Sequence, residues 1–260
     1  SLIISSHYYA KANFNYSIPP SKNILIIGNS YSQTSFYENK FLNAANISIA
    51  GQLSFWSMIK LDDFIDNNPH IDTVIFSYST KHYYESIYNL SQMKYPIKNH
   101  SFFMKYQDFK ILLKHNFISS IKYMPNTIIY NFIYGTKYFK KSWQDFGGFA
   151  MLKGTNVEEH KKKTLLEGEI VPGYNLSVER IFSDPFLHSI NAICDERGLK
   201  LVLVIPPFTK FFSNWLVKIG HKNSEMIDLI NNSFENITFL DYSSYQLPDE
   251  YFYDLDHLNQ

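Results

Sequence analysis

The sequence has one cysteine, two arginines, no long apolar run and no net charge, and each shortage removes a class of function. Cys194 alone admits no internal disulfide and no cysteine-based metal site. Its setting, at the end of an amphipathic stretch running from Asn191 to Gly198, predicts a buried, inert thiol. Arg180 and Arg197 stand against a background of lysine, so the usual bidentate phosphate readers are missing. Basic and acidic residues balance at 24 each, and no field points to nucleic acid. No apolar run reaches the ~18 residues of a membrane span. Nine histidines include no His-x-His or His-x-x-x-His pair, so no metal is expected. The chain starts at Ser1, followed by Leu2-Ile3-Ile4, which leaves room for a signal or anchor lost from its start.

What is present is globular. The 260 residues are 45% hydrophobic and 18% charged, which suits one α/β domain over 1–260. Aromatics reach 17%, with 20 Tyr and 22 Phe. They fit either an aromatic core or a groove lined for sugar rings or acyl chains.

Five short apolar runs predict buried parallel strands: Asn23–Ile27, Asn46–Ile49, Asp72–Phe76, Leu199–Ile205 and Asn236–Leu240. Between the second and third, Phe55, Met58, Ile59, Leu61 and Ile65 mark the apolar face of a helix. Strand and helix alternate, which predicts a three-layer α/β/α, doubly wound, five-stranded parallel sheet. Ligands of such sheets bind beyond the carboxyl ends of the strands, where Gly28, Ser77, Pro206 and Asp241 fall. Residues 83–175 hold no strong strand. Helix-like spacing at Tyr106–Tyr123 and Thr127–Phe139 predicts a mostly helical insertion there, either a cap or extra packing.

Two segments carry candidate chemistry. Gly28-Asn29-Ser30 leads from the first strand into a helix. Glycine permits the tight turn, and the helix start leaves N–H groups beside the serine hydroxyl. This suits a nucleophile whose own N–H helps to hold an oxyanion. A plain helix cap, by Asn29 or Ser30, explains the same residues. At the other end, Asp254 stands three residues before His257, so one local turn can join carboxylate and imidazole.

A Gly-x-Ser element after the first strand with Asp-x-x-His near the carboxyl end resembles the SGNH/GDSL hydrolase superfamily. The stretches 22–82 and 186–260 carry this resemblance, and the terminal block, Phe239–Tyr242 through His257-Leu258-Asn259, is similar to bacterial members that O-acylate cell-surface polysaccharide. The resemblance implies a flavodoxin-like SGNH fold, with Ser30 as nucleophile, His257 as general base and Asp254 as its orienting carboxylate. Asp256 has the wrong spacing for that role. The oxyanion donors would be Ser30, Gly51 and, where the family has Asn, Ser79. Losing one such donor in a serine protease costs about 10²–10³ in turnover, so the serine at 79 weakens the pattern. Asn29 replaces the family's Asp. A helix normally follows the motif and holds the histidine loop. The sequence ends three residues after His257, so truncation or a missing terminal segment is the expectation, and an imidazole left loosely held there would be a poorly positioned base.

The implied reaction is acyl transfer from an ester, to water or to a sugar hydroxyl. The implied partner is an acylated carbohydrate or small ester, and the implied setting is extracytoplasmic, periplasmic or cell-surface. A non-catalytic glycan-binding or assembly protein is the main alternative. A nucleotide or flavin binder would need more than the single glycine of Gly28-Asn29-Ser30-Tyr31. Pro206-Pro207-Phe208-Thr209 either shapes the pocket or merely ends a strand.

Overall fold

The computed structural model describes residues 14–37, 40–52, 54–78, 103–115, 143–167, 185–218 and 223–259, with scattered helical residues before 13 and between 121 and 129. Five strands form one parallel sheet: β1 (Ile24–Ile27), β2 (Ala44–Asn46), β3 (Thr73–Ser77), β4 (Lys200–Ile205) and β5 (Ile237–Asp241). Their order is β2-β1-β3-β4-β5. The helices are α1 (Ser30–Ser35), α2 (Ser54–Asn67), α3 (Tyr106–His115), α4 (Val157–Glu167), α5 (Pro185–Glu196), α6 (Lys210–Lys218) and α7 (Asn223–Ser233).

The strands are apolar without alternation because both faces of the sheet are covered. Register aligns Leu25 with Ala45 and Val74, and Val74 with Leu201. The next row aligns Ile27, Phe76 and Leu203. Both rows belong to one apolar core. Ile26, Ala44, Val202 and Val204 point to the opposite face by alternation, and they too are buried. Sequence order reverses at β1, so right-handed crossovers carry α1 and α2 to opposite faces. Helix α5 packs on α2. The three-layer, doubly wound expectation therefore holds.

The second strand starts earlier than the expected Asn46–Ile49. It covers Ala44–Asn46, since alanine hides a strand from propensity while the ladder to β1 decides it. Ile47 and Ile49 still donate backbone hydrogen bonds to Ile26 and Gly28. Helix α2 buries far more than one stripe: Ser54–Leu61 are all buried. Much of the aromatic content is core, including Phe55, Trp56, Phe64, Phe76, Phe103 and Phe252. Cys194 is fully buried in α5, and burial pushes its thiol up to about 12.

Within 83–175, the described residues form α3, α4 and a 3-10 turn at Trp143–Phe146, and no strand. Most of the Thr127–Phe139 pattern lies outside the described residues. No described helix is long and apolar enough to cross a membrane.

Candidate active site

The site is built where the sheet order reverses, beyond the carboxyl ends of β1 and β3. Gly28 follows β1 at φ +133°, and a Cβ there would lie 2.5 Å from Ser32 Oγ. No other residue type fits without moving Ser32. The Ser32 hydroxyl donates to the Ile27 carbonyl at 2.7 Å and meets Ser77 Oγ at 2.6 Å, which ties α1 to β1 and β3.

Asn29, not Ser30, caps α1. Its Oδ1 accepts the Tyr31 N–H at 2.9 Å. The Ser30 hydroxyl is thus spared from capping. It lies 2.8 Å from His257 Nε2. On the other side of the ring, His257 Nδ1 is 2.9 Å from both oxygens of Asp254. Asp254 Oδ1 also accepts the backbone N–H groups of Asp256 and His257, at 3.1 and 2.8 Å. The carboxylate is therefore held by its own loop before it meets the imidazole.

Asp256 joins as well. Its Oδ1 stands 3.1 Å from His257 Nδ1. Its other oxygen accepts a hydrogen bond from the Tyr31 hydroxyl. The motif's spacing argued against Asp256, yet the turn folds back far enough to bring both carboxylates to one nitrogen. Burial alone would lower the imidazole's pKa. Hydrogen bonds to Asp254 and then Asp256, with their charges, outweigh burial and raise it to about 9.

The histidine loop is firmly held. Phe252 and Leu258 pair across it, and the Tyr253 N–H donates to the His257 carbonyl at 2.8 Å. Thr209 clamps its tip: N–H and hydroxyl both reach the Leu255 carbonyl, at 3.1 and 2.9 Å. The Asn156 N–H donates to the Tyr253 carbonyl at 2.6 Å. The Asn259 amide reaches the carbonyls of Gly154, Glu250 and Phe252. The Pro206–Thr209 segment thus does more than end a strand. Phe208 also packs on Tyr31, with ring centres 5.9 Å apart.

Gly51 lies in the exposed turn after β2, at φ +71°. That loop is pinned from both sides. Gln33 Oε1 of α1 accepts the Ala50 N–H at 3.0 Å, and Asn46 Nδ2 donates to the Ser32 and Phe36 carbonyls. From below, the fully buried Lys60 of α2 donates to the Ile47 carbonyl and to Gln52 Oε1. Burial holds the Lys60 ammonium's pKa well below its ordinary value. Gly147 and Gly148 press on the same loop. A Cβ at Gly147 would strike the Ile47 carbonyl at 2.3 Å, and the Gly148 N–H donates to Ser48 at 3.2 Å.

The structure thus brings together Ser30, Asp254 and His257, and ties Gly51's loop to the helix that Ser30 opens. Ser79 lies outside the described residues. Sequence reasoning missed the roles of Tyr31 and Lys60, and named Thr209 only as part of a loop that shapes the pocket or ends a strand; all three roles depend on contacts distant in the chain. Among the described residues, Asp254, Asp256 and His257 converge within 4.8 Å in the manner of metal ligands. Their atoms already engage one another, Ser30 and Tyr31, and we assign no metal to them.

No family model matches this chain, and no curated protein matches it. Among solved structures it is similar to a Bacteroides fragilis protein assigned as an acylhydrolase, at 13% identity and TM-score 0.39 over 97% of this chain and 86% of that one. It is also similar to a GDSL-like lipase from Bacteroides thetaiotaomicron, at 11% identity and TM-score 0.41 over 99% of this chain and 90% of that one. At these values neither likeness carries an argument about activity; the residues of the site must.

Proposed function

We propose that this chain is a serine-dependent acyl-ester hydrolase or O-acyltransferase of the SGNH/GDSL type. The observation that carries the proposal is the unbroken path from Ser30 Oγ through His257 to Asp254, at 2.8 and 2.9 Å. A hydroxyl, an imidazole and a carboxylate in that order form a nucleophile, a base and an orienter.

In this reading His257 Nε2 takes the Ser30 proton as Oγ attacks the ester carbonyl. Asp254 holds the tautomer with its proton on Nδ1 and stabilises the imidazolium that forms. The N–H groups of Ser30 and Gly51, with the Ser79 hydroxyl, are the proposed oxyanion donors. Collapse expels the alcohol, which takes the proton from His257, and leaves acyl-Ser30. Water or a sugar hydroxyl then attacks that ester and gives its proton to His257, which passes it to the departing Ser30 Oγ as acid or a new ester is released. No cofactor enters. The resemblance of the terminal block to surface-polysaccharide acylators supports an acylated carbohydrate, an acetyl group and an extracytoplasmic setting.

The test is labelling by a fluorophosphonate, mapped by mass, beside Ser30→Ala and His257→Ala. One adduct on Ser30, absent from both variants, is expected. A folded chain that takes no adduct, and hydrolyses no p-nitrophenyl acetate above the Ser30→Ala background, would overturn the proposal in favour of a non-catalytic glycan binder.

A further inference from the structure

One imidazole N–H donates one proton, yet His257 Nδ1 faces two carboxylates. Asp254 approaches with both oxygens at 2.9 Å, and Asp256 Oδ1 stands at 3.1 Å. The far oxygen of Asp256 is engaged by the Tyr31 hydroxyl. Tyr31 follows Ser30 in the chain, and its ring stacks on the imidazole at 5.1 Å and 24°. Tyr31 and Asp256 are 2% and 8% exposed, so water screens their interaction little. From α1, His257 meets Ser30 and Tyr31; from its own loop, Asp254 and Asp256. The 206–209 connection brings Phe208 against Tyr31 and Thr209 onto the loop, and neither titrates.

We infer that Asp256 and Tyr31 are a second positioning pair for His257: Asp256 shares the Nδ1 proton with Asp254, and the Tyr31 hydroxyl sets how much of that second charge the ring feels. The inference rests on the assignment of His257 as base. Both side chains act through the imidazole. A carboxylate beside Nδ1 favours the charged ring. The phenol O–H draws charge toward the far oxygen and tempers that effect. Removing the carboxylate's charge and removing the hydroxyl must therefore act in opposite directions. Once residue 256 is neutral, the hydroxyl has little left to temper.

The experiment measures His257 in the full chain by two readouts. One is the NMR titration of its ring, assigned by difference from His257→Gln. The other is the pH profile of kcat/KM for p-nitrophenyl acetate, corrected with Ser30→Ala. Asp256→Asn is expected to lower the apparent pKa by about 1 or more. Tyr31→Phe is expected to raise it, and the double variant to match Asp256→Asn. Unchanged titrations, or single shifts of the same sign that add, would overturn the inference. Should Asp256→Asn fail to fold, Tyr31→Phe keeps the ring stack and decides alone: a pKa that is unchanged or lowered overturns it. Esterase activity that survives Ser30→Ala would instead sink the function proposed above, while the ring titration still judges the pair.

Discussion

Asn29 and Ser30 are neighbours with similar capping chemistry, yet only Asn29 caps α1. Its Oδ1 reaches the Tyr31 N–H, which leaves the Ser30 hydroxyl for His257. Before this turn stands Gly28, at φ +133° against Ser32. Sequence reasoning called for glycine on grounds of a tight turn, and the Ser32 contact was beyond it. Gly28→Ala is expected to cost about 1–3 kcal/mol through the strained φ, with more from displacing Ser32. The shift should pass to Ser30 and lower kcat. Urea midpoints and ester turnover measure the two effects, and a variant unchanged in both would show that Gly28 is dispensable.

At the scale of elements, strands were easier to read than loops. A strand buried on both faces shows as an apolar run whatever its neighbours, so β1, β3, β4 and β5 fell within a residue or so of expectation. Strand β2 was harder because Ala44 and Ala45 carry little strand signal. The loop after β2 was legible only as a glycine. Its rigidity comes from Gln33, Asn46 and Lys60. Lys60→Met keeps the apolar stem, one atom short of the amine, and leaves the Ile47 carbonyl and Gln52 without their Nζ donor. A loss of about 1–3 kcal/mol is expected, with kcat falling more than KM rises as Gly51's loop loosens. Thermal melts and ester kinetics would check this. Full stability with normal kcat would mean that the loop holds itself.

The whole molecule has a single built-in reporter. Cys194 lies in the shared core on α5, with its thiol raised to about 12. At pH 8 the thiolate fraction is on the order of 10⁻⁴, and burial blocks reagent as well. The native chain is expected to resist a disulfide reagent and to yield one reactive thiol in concentrated guanidinium. Prompt native labelling would place Cys194 at the surface and break the packing of α5 on α2. Slow labelling would report opening of the core. His257 adds a pH dependence to stability. Its folded pKa, near 9, lies above its ordinary value of 6.5. That stabilisation is complete below the ordinary value and is lost as pH rises through the folded one.

The sequence by itself determined the alternation of strands and helices, the turn at Gly28 and the Asp254–His257 pair. Each is local, and rests on periodicity, backbone freedom or short spacing. Only the tertiary structure decided that Ser30 meets His257 across 227 positions, that Tyr31 joins Asp256, and that Thr209 and Asn156 hold the histidine loop. These contacts depend on sheet order and loop packing, which set distances between residues far apart in the chain and leave no periodic trace in it.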